Sequence, residues 1–339
     1  GTMFAWGRND VGQLGDNSTI NKSSPMSILG NKKTFCQIEG GTAYTIALDK
    51  NNKIWGWGYN SFGSLGNGTT NHESTPISII DNVTFSQIAV GSYHSMGLDK
   101  NATIWTWGYN NKGQLGNDTT GNTCTPGSIL GQNKTFCFID GGRGNFSLAI
   151  DKNGLCWGWG YNNYGQLGNS SVLSKKTPVS IYGGHSFCKI FGGSMHTLGL
   201  DKYGQVWSWG YGNAGRLGIN STSNVCTPVS ILGNHKTFCQ ISCGDDFSLG
   251  IDKYGQIWSW GYNYYGQLGI NLNGAIESRR TPVSILGNQK TFCQIKGGYR
   301  NSIALDKDGK IWGWGWNFYG QLGINDEVDR LTPVMITAI

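Results

Sequence analysis

Charge is scarce in this sequence. Only 14% of its 339 residues are Asp, Glu, Lys or Arg, and Lys+Arg exceed Asp+Glu by just +6. No basic run or tail gathers that excess, so the electrostatic footprint of a nucleic-acid binder is missing. No apolar run approaches the roughly 20 residues of a membrane-spanning helix. The N-terminal stretch is polar and Gly-rich, unlike a secretory leader. The strings G-x-S-x-G, H-E-x-x-H and G-x-x-x-x-G-K-[ST] do not occur, which leaves a hydrolase elbow, a zinc protease and a phosphate-cradling loop without support. Cys239 and Cys243 are four residues apart, about 13 Å along a strand, too far to share one zinc ion. The expectation is a chain that is not an enzyme and holds no cofactor or metal.

What is abundant is glycine, with 54 residues, and aromatic side chains, at 12%. That mixture favours short strands joined by tight turns. The string W-G-[YWR]-[NG]-x-x-G-x-L-G recurs at Trp6, Trp57, Trp107, Trp159, Trp209, Trp260 and Trp314, in steps of 51, 50, 52, 50, 51 and 54 residues. All seven prolines (Pro25, Pro76, Pro126, Pro178, Pro228, Pro282 and Pro333) follow their Trp by 19 residues, or by 22 for Pro282. A pattern that uses up every proline marks a tandem repeat of one structural unit.

One unit reads as four strands. Thr237-Phe238-Cys239-Gln240-Ile241 alternates, and a Gly-containing bend leads to Phe247-Ser248-Leu249-Gly250-Ile251-Asp252. Lys253-Tyr254-Gly255 turns into the Trp258/Trp260 strand, whose tryptophans share one face. The Gly-rich corner 261–269 leads to a fourth strand opened by Thr281-Pro282, where proline is tolerated on an outer edge. Four antiparallel strands in about fifty residues make one propeller blade.

The count of half-units does not close. Seven W-G…G-x-L-G…P halves stand beside six F-x-x-I…G…L-D-K halves. The expected fold is an all-β, seven-bladed propeller forming a single domain over 1–339, its termini meeting in one blade; either a longer natural chain has been cut there, or the seam blade is incomplete and leaves unpaired strand edges.

There are nine cysteines, and Cys36, Cys137, Cys188, Cys239 and Cys293 each follow the Phe of an F-C-x-I string. Repetition at one place reads as packing, so these are expected to be free thiols, mostly buried, in a reducing compartment. Sequons such as those at Asn17, Asn67, Asn101, Asn117 and Asn220 weigh little in so Asn-rich a chain.

The unit 192–210, Gly192-Gly193-Ser194-Met195-His196-Thr197-Leu198-Gly199-Leu200-Asp201 followed by Gly204-Gln205-Val206-Trp207-Ser208-Trp209-Gly210, resembles the repeat of the regulator of chromosome condensation family. So do the intact Gly-Gln-Leu-Gly corners beginning at Gly12, Gly113, Gly165, Gly266 and Gly320. The resemblance spans the chain and implies a seven-bladed propeller. Its relatives include Ran exchange factors and a plant ultraviolet-B photoreceptor. Photochemistry there relies on a G-W-R-H-T string, which the bends Gly91-Ser92-Tyr93-His94 and Gly298-Tyr299-Arg300-Asn301 lack. The founding member contacts Ran through acidic and histidine residues of the bends, a pattern that Asp245, His94 and His196 match by position. It also carries a wedge insertion. Here the only length outlier is 271–280, so exchange activity is expected to be weak.

What varies between repeats carries specificity in a repeat scaffold. The bends vary: Ser92, Tyr93 and His94; Arg143 and Asn145; Ser194, Met195 and His196; Asp245 and Asp246; Tyr299 and Arg300. They are expected to ring one rim and bind a protein partner, with a small GTPase of the Ran type as the partner class the resemblance implies. The alternatives are an exchange factor and a self-assembling propeller that uses its open seam. The expected location is the cytoplasm, the nucleus, or a host cytoplasm reached by secretion.

Overall fold

The computed structural model describes residues 3–29, 34–80, 82–131, 134–233, 236–274, 277–287 and 289–337. Residues 275 and 276 of the length outlier lie outside the described residues. Six four-stranded antiparallel sheets and one two-stranded sheet are built from consecutive strands. Blade I comprises Phe35–Gly40, Tyr44–Asp49, Ile54–Gly58 and Glu73–Ser78, and blades II to VI repeat it up to Arg330–Met335. The two-stranded unit is Phe4–Gly7 paired with Lys22–Ser27.

The architecture is thus an all-β propeller, but its complete blades number six, not the expected seven. Nor do the chain ends share a blade. Both strands of the open unit come from the N-terminal region, while Arg330–Met335 completes blade VI. The reason lies in the half-units, since only six F-x-x-I…L-D-K segments exist to fill inner positions.

Each repeated residue has a mechanical task. The second Trp of W-x-W is buried in every full blade. In five of them its indole N–H donates to the corner carbonyl of the preceding unit, as from Trp57 to Gln13 (2.9 Å) and from Trp314 to Gln267 (2.9 Å). The tie from Trp6 to the Gln321 carbonyl, 3.0 Å, is the same contact and carries the ring across its seam. Glycine is required where the corner meets this ring: Gly66 has φ +75°, and a Cβ there would lie 2.7 Å from Trp107 Nε1. The Asp of L-D-K nucleates the hairpin turn. Asp49 Oδ1 accepts the N–H groups of Asn51 and Lys53, and Oδ2 accepts the indole of Trp55.

First strands line the axis, and each begins with a bulge at the residue after Phe in blades I to III, V and VI. The Gln of F-C-Q-I reaches the neighbouring blade like a ladder partner. Gln37 donates to the Ile88 carbonyl (2.7 Å) and accepts from the Ile88 N–H (2.9 Å). The bulge and alternation turn Phe inward and Cys outward. All nine thiols are free, but Cys36, Cys137, Cys188, Cys239 and Cys293 are exposed, not buried as expected. The buried thiols are Cys156 and Cys243. No described helix is long and apolar enough to cross a membrane.

Candidate functional site

In a four-stranded meander the first and third connections emerge on the same face. The variable bends and the Gly-rich corners therefore form one rim together, and the backbone joins them. The N–H of Tyr59 donates to the Ala43 carbonyl (2.9 Å), and equivalent bonds run from Tyr109 to Tyr93, Tyr211 to Met195 and Trp316 to Arg300.

Of the expected residues, Ser92, Tyr93, Arg143, Asp245 and Tyr299 converge on one cavity of about 720 Å³ at the mouth of the axis. Arg143 reaches over the axis: Nη2 donates to the Gly297 carbonyl of blade VI (2.9 Å), and Nη1 lies 3.6 Å from Asp245 of blade V. Asp246 pairs with Arg216 at 2.5 Å and accepts from the Ser194 hydroxyl at 3.0 Å. Arg300 donates to the Tyr265 hydroxyl (2.7 Å) and stacks 4.6 Å from the Tyr299 ring centroid and 5.8 Å from that of Trp316. Met195 and Asn145 sit farther out, half-buried, their carbonyls spent on the corners.

Asp245 is the electrostatic centre. Burial pushes its carboxyl up to about 7, with Arg143 pulling it back and Asp246 adding to the rise. Below the mouth a second cavity of about 280 Å³ holds Asp140. Burial pushes that carboxyl up to about 6, against the N–H groups of Gly192 (2.8 Å) and Gly142 (3.0 Å).

His94 and His196 are not part of this surface. Both are fully buried, and their Nε2 atoms meet Ser147 and Ser248 hydroxyls of the next blade at 2.9 and 3.0 Å. Burial holds the His94 imidazole down to about 3 and His196 well below its ordinary value. They are neutral ties between blades and cannot touch a partner. They lie beneath the rim surface on which the sequence led them to be expected.

Sequence reasoning passed over the corner aromatics because they recur. Tyr59, Phe62 and Tyr109 pack with one another and with Tyr93 of the bend, with centroid separations from 4.5 to 6.4 Å. Trp316, Tyr319 and Phe318 form a second group at 5.0 to 6.3 Å. Two departures from the repeat also mattered. Arg216 replaces the corner Gln and Arg8 replaces the aromatic after W-G, and both guanidiniums face the rim. Among the described residues no group of His, Cys, Asp and Glu is placed to hold a metal ion.

Repeated four-stranded blades with a rim of polar bends and aromatic corners define a β-propeller of the tandem-repeat kind. The model for the RCC1-like domain matches residues 78–339, and that for the regulator of chromosome condensation (RCC1) repeat matches 1–48 and 51–98. The chain belongs to the RCC1-like family. It is 27% identical to the Arabidopsis thaliana ultraviolet-B receptor UVR8 over 98% of its own length and 65% of the receptor's. A human probable E3 ubiquitin-protein ligase, HERC4, is 39% identical over 101 residues, 30% of this chain and 9% of the ligase. The chain therefore spans less than two thirds of these relatives. Among solved structures, Prp20p of Saccharomyces cerevisiae superposes with a TM-score of 0.87 at 23% identity, covering 99% of this chain and 86% of that one. Human WBSCR16 superposes with a TM-score of 0.87 at 19% identity, covering 98% and 93%. These likenesses show the fold.

Proposed function

We propose that this chain is a protein-binding propeller that engages its partner through the rim of bends and corners, and that the partner is a small GTPase of the Ran type. The observation that carries the reading is the convergence of Tyr93, Arg143, Asp245 and Tyr299 from four blades on one cavity at the axial mouth. Arginine and tyrosine held rigid by stacking are the anchors that protein interfaces use, at low entropic cost. Prp20p of Saccharomyces cerevisiae has binding properties toward Gsp1p and histones, and the family resemblance supplies the partner class here. Exchange activity is the alternative reading. The bends are short and braced by strands, so the rim holds a partner without forcing open its nucleotide site. Such a rim binds loaded and empty GTPase alike, and equal affinity for two states shifts neither. The same reading puts the chain in the cytoplasm or nucleus.

The test is calorimetric titration of the chain with a Ran-type GTPase, nucleotide-loaded and nucleotide-free, alongside release of a fluorescent GDP analogue. Binding is expected in both states, with little acceleration of release. Replacing Asp245 and Asp246 together by Lys, or Arg300 by Glu, is expected to cost about 1–3 kcal/mol of binding. Unchanged binding by these variants moves the site off the rim. A thousandfold acceleration of release replaces the platform reading with exchange.

A further inference from the structure

The second connection of each meander and the link from one blade to the next emerge opposite the rim, and this lower face follows a different charge plan. Every full blade ends there in a hairpin that carries an Asp-Lys pair, its two charges set apart. The Asp turns inward, its oxygens spent on two backbone N–H groups and an indole, as Asp99 accepts from Asn101, Thr103 and Trp105. The Lys that follows stays outside: Lys50, Lys100, Lys152, Lys202, Lys253 and Lys307 are all exposed. None of the six forms an ion pair among the described residues. Asp308 is the one exposed carboxylate of these hairpins, and it lies between Lys307 and Lys310.

The hairpins are braced. In five blades the Lys N–H donates to a Thr carbonyl of the blade-to-blade link, from 2.8 Å at Lys152 and Lys253 to 3.2 Å at Lys100. Those links add Lys134, Lys236 and Lys290, whose ammonium groups lie 4.2, 4.1 and 4.4 Å from the ring centroids of Trp157, Trp258 and Trp312. Apolar groups stand among the cations. Leu29, Leu130, Leu232 and Leu286 follow the foot of a fourth strand and remain 47 to 48% exposed. Tyr203 and Tyr254, 71% and 70% exposed, stand at hairpin tips beside Lys202 and Lys253.

We propose that this lower face is a peripheral docking surface for a membrane rich in anionic lipid. Lysines set around one face are drawn to the negative headgroup layer. Tyrosines seat at headgroup depth, with the ring in the apolar boundary and the hydroxyl in water. The half-exposed leucines sink toward the acyl boundary, as the apolar face of an interfacial helix does. A nucleic acid gives those leucines nothing to meet. Arginine, which grips phosphate with a bidentate fork, is absent from all six hairpins. Lysine is a point charge and suits a fluid layer that presents no fixed geometry. Every full blade contributes a hairpin, so the surface owes nothing to the open unit. Docked this way, the chain holds its rim away from the bilayer, free for a partner.

The chain's own thiols report the contact. Cys36, Cys137, Cys188, Cys239 and Cys293 are exposed beside the hairpins, with Cys36 Sγ 3.5 Å from the Asp49 carbonyl oxygen. Cys124 and Cys226 lie at the rim end of fourth strands. The full chain is mixed with vesicles of phosphatidylcholine, alone or with about one third phosphatidylserine, at physiological salt. Binding is read by co-flotation and by the rate of maleimide labelling. Flotation is expected only with phosphatidylserine, with labelling of the five lower thiols slowed and that of Cys124 and Cys226 unchanged. Lys202→Ala together with Lys253→Ala should weaken vesicle binding about tenfold. Lys175→Ala with Lys176→Ala removes the same charge from the rim end of a fourth strand and should leave it unchanged. No flotation with phosphatidylserine, flotation without protection of the five thiols, or equal effects of the two lysine pairs overturns the proposal. So does protection of those thiols by duplex DNA or polyglutamate where vesicles give none, which assigns the face to a soluble polyanion.

Discussion

Blade V and the N-terminal unit carry the same corner-and-proline half of the repeat, yet they stand in different physical states. In blade V the Trp260 ring is fully buried and Ser248 ties to both the Arg216 carbonyl (2.8 Å) and His196 (3.0 Å). In the N-terminal unit Trp6 keeps its tie to Gln321 but is only partly buried, with the 720 Å³ cavity on one side. The local sequence is the same kind of sequence, and the difference is made by neighbours. A strand's stability in a sheet is largely that of the strands beside it.

The largest effect that sharpens this comparison is truncation of the Trp. Trp260→Ala is expected to cost about 3–5 kcal/mol in denaturant unfolding, since a closed pocket cannot collapse around the void. Trp6→Ala should cost about 1–2 kcal/mol, because part of its ring already meets solvent. Equal costs would mean that the seam is packed as tightly as a full blade.

Next is the hydroxyl tie. Ser248→Ala leaves the buried Arg216 carbonyl and the His196 ring without this partner, and about 1–3 kcal/mol should be lost. Thermal melts of the variant check it, and a loss under about half a kcal/mol would remove the hydroxyl from the account of blade pairing.

A smaller effect separates the rim from the blade interior by pH. Asp245, raised to about 7 from an ordinary 3.8, stays protonated in the fold where the unfolded chain has already ionised. Its contribution is fully present below about 4 and is lost as pH rises through about 7. His94, lowered to about 3 from 6.5, acts oppositely: its contribution is present above 6.5 and is lost as pH falls toward 3. Asp245→Asn should therefore flatten the decline of stability between about pH 4 and 7, whereas His94→Phe should flatten the acid limb. Unfolding free energies of the two variants across that range decide between the assignments.

The smallest perturbation leaves the fold untouched. Thiol reagent at alkaline pH should label Cys36, Cys137, Cys188, Cys239 and Cys293 in the native chain, and Cys156 and Cys243 only after denaturation. Burial raises the Cys137 and Cys239 thiols, which should slow their reaction at neutral pH relative to the same thiols in the denatured chain. Native protection of all five would contradict the outward turn after the Phe.

The repeat, the four strands of each blade and the corner that holds each Trp are legible in the residues alone. These depend on contacts within one unit or with the next, and a fixed period displays both. Even the open unit was legible, as six inner halves against seven outer ones. Where the repeat's side chains look depends on the packed ring. A bulge of one residue set Cys36, Cys137, Cys239 and Cys293 on the surface. The ring's closure buried His94 and His196 behind the bends that were expected to display them. Closure also brought together residues 154 positions apart, Arg143 and Gly297, and 257 apart, Lys296 and Glu39. No local pattern encodes such meetings. They arise because a closed ring sets blade III across the axis from blade VI and returns its last blade to its first, and only the packed ring fixes those distances.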